Sequence, residues 1–147
     1  MRLKYIAISA LQMVLASCLI VTGCAEKPDS ANQAVTTPVI KDITASEALA
    51  LIQENQGNPD FTIIDVRTPE EFDEGHLEKA RNIDYLSETF RNNIAQQDKD
   101  KTYLIYCRSG NRSRGALNVM VELGFRKVYH LTTGIIGWLG EEYPVTR

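Results

Sequence analysis

The sequence predicts an α/β domain with a mostly parallel sheet and helices on both faces. From residue 39 onward, strand-like and helix-like segments alternate along the chain, which is the pattern of such folds. Two segments, 61–66 (FTIIDV) and 102–107 (TYLIYC), are continuous and mainly apolar, as strands buried on both faces of a parallel sheet are. The 147 residues leave room for one domain of usual size.

Each element has its own local signal. The predicted strands are 39–43, 61–66, 80–83, 102–107 and 127–131. The first four predicted helices run through 48–53, from residue 69 onward, over 86–94 and through 116–123, and the last follows Thr133 and continues up to Pro144. Thr44 and Glu47 form a capping box before the first helix, and Thr68 caps the second, which has Pro69 at its first position. Gly124 closes the fourth helix after an apolar face with 3.6-residue spacing.

The N-terminal residues 1–23 are predicted to be a signal peptide outside the fold. Arg2 and Lys4 supply a positive start, and 6–21 is almost entirely apolar. This apolar run is shorter than the roughly 20 residues that a spanning helix needs, although an uncleaved membrane anchor stays open as an alternative.

The end of the apolar run resembles the lipobox of bacterial lipoproteins, in which a cysteine is lipidated and becomes the new N-terminus. VTGC, residues 21–24, would place the lipid on Cys24, and LASC, residues 15–18, is the alternative with Cys18. Cleavage before Cys24 is favoured because a polar segment follows it, whereas cleavage before Cys18 leaves apolar residues on a soluble tail. We expect residues 24–38 to be a lipidated N-terminus and flexible tether, and 39–147 to be the folded domain.

Removal of the signal peptide changes the charge and the cysteine inventory. Loss of Arg2 and Lys4 leaves 14 basic residues against 19 acidic ones, a net charge of −5 that disfavours nucleic acid as a partner. With Cys18 removed and Cys24 lipidated, Cys107 is the only free thiol left, in a compartment where disulfides are usual.

The segment from Cys107 to Ser113 (CRSGNRS) joins a predicted strand to a predicted helix. A short loop before a helix directs backbone N–H groups inward and adds the positive end of the helix dipole, which together bind anions. In such a setting cysteine ionises more readily, so Cys107 is predicted to be a functional thiolate. Gly110 permits the turn, while Arg108 and Arg112 add positive charge.

Three separated motifs resemble the rhodanese-like sulfurtransferases over residues 40–143. CRSGNRS is similar to the active-site loop of that family, and IDVRTPEEFDEGHLEKARNI (64–83) is similar to its first signature. LTTGIIGW (131–138) is similar to the closing motif, with Thr133 and Gly134 where the family usually has two glycines.

The resemblance implies a single rhodanese-like domain with a five-stranded parallel sheet, in which a cysteine takes sulfane sulfur from a donor such as thiosulfate and passes it to an acceptor such as cyanide. Cys107 would be the nucleophile, and the remaining loop residues would bind the anion and the persulfide, namely Arg108, Ser109, Gly110, Asn111, Arg112 and Ser113. Asp65 and Arg67 match supporting positions, where an ion pair is favoured over contact with substrate. His76 and Trp138 are interpreted as structural residues.

Two rival functions remain at this point. A cysteine-dependent phosphatase or arsenate reductase has five residues between its cysteine and an arginine, but the residue at that spacing here is Ser113, with Arg112 one place early. A sulfur or polysulfide carrier without catalytic activity would have the same loop. We expect a monomer without metal or cofactor, held by lipid at the bacterial cell envelope and facing the periplasm or the exterior.

Overall fold

The computed structural model describes residues 37–147, which form a five-stranded, entirely parallel sheet with five helices. The strands are β1 (Val39–Ile43), β2 (Phe61–Asp65), β3 (Arg81–Asn82), β4 (Thr102–Tyr106) and β5 (Lys127–Leu131). The helices are α1 (Ala45–Glu54), α2 (Pro69–Glu74), α3 (Phe90–Ala95), α4 (Asn111–Glu122) and α5 (Gly134–Gly140). The predicted fold class and the predicted alternation of elements are confirmed.

The strand order is β1-β5-β4-β2-β3, so β4 lies at the centre of the sheet, between β5 and β2. Alternate residues of β4 point to opposite faces. Tyr103 and Ile105 pack in one buried cluster with α3 and α4, whereas Leu104 and Tyr106 pack in the other with α1 and α5. The sheet is thus covered by helices on both sides, and its carboxyl edge is where β2, β4 and β5 end together.

The capping signals are present as predicted. The Thr44 hydroxyl accepts a hydrogen bond from the Glu47 N–H, and the Glu47 carboxylate accepts one from the Thr44 N–H. Thr68 and Glu71 form the same reciprocal pair at α2, with Pro69 in the first helical position. Two helices therefore begin where their sequences indicated.

The prediction for α3 was wrong at its start. A helix was expected from Leu86, but α3 begins at Phe90 and Leu86 is 64% exposed. The Asp84 carboxylate accepts a hydrogen bond from the Leu86 N–H, and the Ser87 hydroxyl accepts one from the Thr89 N–H. These local side-chain bonds give the backbone an alternative to the helix, which is why Asp and Ser favour turns.

The predictions for the signal peptide, for lipidation at Cys24 or Cys18, and for nearly all of the tether fall on residues 1–36, outside the described part of the chain. Within 37–147, none of the helices has both the length and the apolar character needed to cross a membrane.

Candidate active site

Cys107 directly follows β4, the central strand, at the carboxyl edge of the sheet. Residues 108–110 form the short connection to α4, whose first residue is Asn111. The side chain packs within the apolar cluster between the sheet and the α3–α4 layer, and Cys107 is only 1% exposed. The strand-to-helix junction predicted for this residue is therefore present.

Neutral hydrogen-bond donors surround the Cys107 sulfur. The Gly110 N–H donates to Sγ at 3.2 Å, and the Ser113 hydroxyl lies 3.4 Å from Sγ. Burial alone would raise the pKa of Cys107, but donation from the Ser113 hydroxyl and from the N–H groups of Ser113, Ser109 and Gly110 outweighs burial and lowers this pKa. The N-terminus of α4, a helix of 12 residues, adds a positive field at the same place. The site favours thiolate over thiol.

Two glycines let other backbone segments approach the cysteine loop. Gly110 has a φ of +95°, and a Cβ there would collide with the Thr132 carbonyl that follows β5. Gly134 has a φ of +58°, and a Cβ there would collide with the carbonyls of Cys107 and Arg108. Both positions favour glycine for conformational and steric reasons.

The start of α5 fixes the cysteine loop from the other side. The Ile135 N–H donates to the Cys107 carbonyl at 2.9 Å, and the Ile136 N–H donates to the Arg108 carbonyl at 3.1 Å. The closing motif, residues 131–138, therefore fixes the backbone of Cys107 and Arg108 through these two hydrogen bonds. Thr133, which precedes Gly134, has a φ of −87°, a value that any residue adopts.

The arginines of the loop have different environments. Arg112 donates to both carboxylate oxygens of Glu71, at 2.6 and 2.8 Å. Arg114 donates to Asp42 at 2.6 Å. The side chain of Arg108 is exposed and forms no ion pair within residues 37–147. Of the predicted anion-binding arginines, Arg108 alone keeps its guanidinium available to a ligand.

Asp65 and Arg67 form a buried ion pair at the end of β2. The guanidinium donates from Nε to Asp65 Oδ1 at 3.0 Å and from Nη2 to Asp65 Oδ2 at 2.6 Å, and Nη2 also donates to the Gly75 carbonyl at 2.7 Å. It also lies over the Tyr106 ring, 5.8 Å from the ring centroid. This pair holds the turn after α2, whereas the ion pair that joins α2 to the cysteine loop is Glu71 with Arg112.

The two residues interpreted as structural have structural contacts. The His76 ring stacks on Phe72 with 3.6 Å between ring centroids, and its Nδ1 lies 2.9 Å from the Phe72 carbonyl oxygen. Trp138 is buried and donates from Nε1 to the Pro144 carbonyl.

Sequence reasoning missed two residues that the fold brings to the site. His130 is buried in β5 and places Nε2 2.9 Å from the Ser113 hydroxyl oxygen, while its Nδ1 lies 3.0 Å from the Asp42 carboxylate. The available signal was a histidine close to the carboxyl end of a mostly apolar strand. Asp42, in exposed β1, gave no comparable signal.

Across residues 37–147, no three Cys, His, Asp or Glu side chains lie close enough together to hold a metal ion. The chemistry that this arrangement offers is that of a thiolate in a loop of amide and hydroxyl donors. Five parallel strands with a cysteine between the central strand and the next helix are typical of cysteine-dependent proteins that bind anions in a strand-to-helix loop.

The chain belongs to the rhodanese-like family, because the model of the rhodanese-like domain matches residues 44–141. This family is of the sulfurtransferase type. A rhodanese-related protein from Thermoplasma volcanium has a similar structure, with 30% identity and a TM-score of 0.60, over 72% of this chain and 97% of that one.

Two curated relatives differ in how much of their length is shared. The uncharacterised protein YibN of Escherichia coli K12 is 32% identical over 113 residues, which are 76% of each chain. The tRNA uridine(34) hydroxylase of Photorhabdus laumondii is 39% identical over 98 residues, which cover 61% of this chain but only 27% of that enzyme.

Proposed function

We propose that this protein is a sulfurtransferase that moves sulfane sulfur from a donor such as thiosulfate to a thiophilic acceptor such as cyanide through a persulfide on Cys107. One observation carries the proposal, namely the ring of neutral donors around the buried Cys107 sulfur, with Gly110 N–H at 3.2 Å and the Ser113 hydroxyl at 3.4 Å. The same donors that stabilise a thiolate can stabilise the terminal sulfur of a persulfide, which carries the same charge.

The reaction has two steps. The Cys107 thiolate attacks the outer sulfur of thiosulfate, a sulfur–sulfur bond forms on Cys107, and sulfite leaves with the electron pair of the broken bond. Cyanide then attacks the outer sulfur of the persulfide, and the electron pair returns to the Cys107 Sγ as thiocyanate leaves. A covalent intermediate of this kind gives ping-pong kinetics.

The position of Arg112 argues against phosphatase activity. Phosphatases of this class need a guanidinium on the transferred anion, but both terminal nitrogens of Arg112 donate to Glu71, and the next residue, Ser113, faces the Cys107 sulfur. We do not extend tRNA hydroxylation to this chain, since it spans only 27% of the Photorhabdus relative that has that name.

The decisive experiment is the intact mass of the protein after thiosulfate, with and without cyanide. Wild type should gain one sulfur atom that cyanide removes, and Cys107→Ser should gain none. A wild-type protein that never gains a cyanide-labile sulfur would refute the proposal. Stoichiometric labelling with negligible turnover would instead identify a sulfur carrier, and Cys107-dependent hydrolysis of an aryl phosphate would identify a phosphatase.

We also propose that the protein acts as a monomer at the bacterial cell envelope, attached by lipid on Cys24. The VTGC segment and the polar residues after it support this placement. Labelling of cells with radioactive palmitate should mark wild type and Cys18→Ser but not Cys24→Ser. If the label is lost in Cys18→Ser instead, Cys18 is the lipidated residue.

A further inference from the structure

A buried histidine lies behind the cysteine loop with both ring nitrogens facing oxygen atoms. His130 is 1% exposed and lies in β5, next to β4, which ends at Cys107. Its Nδ1 is 3.0 Å from Asp42 Oδ1, and its Nε2 is 2.9 Å from Ser113 Oγ and 3.3 Å from the Gly110 carbonyl oxygen. A neutral imidazole has one N–H, so only the doubly protonated ring can donate on both sides at once.

Ser113 connects this histidine to the nucleophile. Its hydroxyl lies 2.9 Å from His130 Nε2 and 3.4 Å from Cys107 Sγ, and the residue is fully buried. A hydroxyl has a single proton to donate and can also accept. Ser113 can therefore donate to His130 while accepting from the thiol, or donate to the thiolate while accepting from His130.

These two arrangements differ by one proton transfer along the chain. We propose that His130, acting through Ser113, receives the proton of the Cys107 thiol, and that Asp42 orients the imidazole and stabilises its cation. The S–H bond breaks and its electron pair stays on Sγ, the proton passes to Ser113 Oγ, and the Ser113 hydroxyl proton moves to His130 Nε2. His130 is thus a positioning residue for the thiolate, and its catalytic consequence rests on the proposed function.

The charged groups around the chain are consistent with an imidazolium beside a thiolate. Asp42 on neighbouring strand β1 is paired with His130 in the sheet register, and Cys107 follows the neighbouring strand on the other side, β4. Arg114 on α4 binds the other oxygen of Asp42, and it lowers the pKa of that carboxyl, so Asp42 remains a carboxylate facing the ring. Arg112, also on α4, is held by Glu71.

The test is the rate at which iodoacetamide alkylates Cys107, followed by peptide mass spectrometry in the full chain over a range of pH. His130→Gln keeps an amide N–H but cannot take up a proton. Because an opposite charge a few ångströms away shifts a pKa by about 1 to 3 units, this variant should react at least about tenfold more slowly than wild type at pH values where most of the thiol is protonated in both proteins. The two proteins should converge at high pH, where the thiol is ionised in both.

His76→Gln is the matched control, since it removes the other histidine of the chain and lies outside the hydrogen-bonded chain to Cys107. It should follow the wild-type profile. Asp42→Asn provides a second variant at a half-exposed side chain in case His130→Gln does not fold, and it should slow alkylation in the same direction. The proposal would be overturned if the pH profile of alkylation for His130→Gln matched that for His76→Gln. If His130→Gln does not fold, Asp42→Asn takes its place in this comparison.

The coupling must also be reciprocal, because each charge stabilises the other. Loss of the His130 cation should therefore leave less thiolate on Cys107, which the alkylation profile reports. That measurement does not require sulfur transfer, so absence of the persulfide would refute the proposed function and leave this inference standing.

Discussion

At the carboxyl ends of two neighbouring strands lie buried groups that can carry negative charge, the Asp65 carboxyl at the end of β2 and the Cys107 thiol just after β4. The two groups are stabilised in different ways. Asp65 at the end of β2 has a full counter-charge, since Arg67 donates to both of its carboxylate oxygens. Cys107 after β4 meets only neutral donors at its sulfur, from Gly110 and Ser113. The Arg112 guanidinium, in the first turn of α4, is occupied by Glu71.

This difference separates a structural charge from the charge that we propose to be reactive. A carboxylate held by a bidentate guanidinium is satisfied and fixed, so it stabilises the turn that Arg67 reaches at Gly75. A thiolate held by amide and hydroxyl dipoles is stabilised without being covered by a cation, so its electron pair stays available for attack. The same edge of the sheet therefore holds a fixed ion pair beside the proposed nucleophile.

Arg67→Met should have the largest effect on stability, because it leaves the Asp65 charge buried without a counter-charge, with only the backbone N–H of residue 67 still donating to it. Loss of one member of a buried pair costs about 3 to 5 kcal/mol, measurable as a lower free energy of unfolding in urea. The matched control is Arg91→Met, which breaks the exposed Arg91–Glu122 pair and should cost at most about 1 kcal/mol. Equal losses in the two variants would contradict the structural role given to the Asp65–Arg67 pair.

Ser113→Ala tests the neutral donors on the other side of the comparison. The variant removes a hydroxyl that lowers the pKa of Cys107, and a hydrogen bond to a charged group is worth about 1.5 to 3 kcal/mol, so the ionisation constant of the thiol should fall at least about tenfold. The measurement is the ultraviolet absorbance of the thiolate as a function of pH. A midpoint that does not rise would mean that the backbone N–H groups suffice.

Much of the fold could be predicted because its signals are local. A few consecutive residues are enough to recognise the capping boxes at Thr44 and Thr68 and the buried apolar segments that form β2 and β4. Alternation of strands and helices then predicts a parallel sheet and places Cys107 at its carboxyl edge. The start of α3 was misplaced because turn formation by Asp84 and Ser87 competed with a helical pattern.

The missed parts of the site depend on contacts distant in the sequence. His130 and Asp42 are 88 residues apart, and they meet only because β5 pairs with β1 in that register. Glu71 and Arg112 are 41 residues apart and belong to different motifs. Residue type indicated that Arg112 could bind an anion, but not that a carboxylate of the protein already occupies it.

Glu71→Gln should have a smaller effect that depends on pH. Arg112 lowers the pKa of Glu71 from 4.5 to about 2, so the ion pair stabilises the folded protein above the unfolded value and loses that contribution as the pH falls towards the folded one. For this partly exposed pair we expect a loss of about 1 kcal/mol at pH 7 that shrinks between about pH 5 and pH 2. Urea unfolding of both proteins across this range checks it, and a difference independent of pH would contradict the ion pair.

Arg108→Gln should have the smallest effect, and it acts on substrate capture. The Arg108 side chain is exposed, so its charge is screened by salt, and we expect the KM for thiosulfate to rise about threefold at low ionic strength with kcat unchanged. The control is Arg126→Gln, which removes an equal charge just before β5 begins, at the opposite edge of the sheet. If the two variants give the same KM, the Arg108 charge does not attract thiosulfate. The backbone N–H groups and the α4 dipole alone then attract the dianion, and the positive charge of the loop has a structural role.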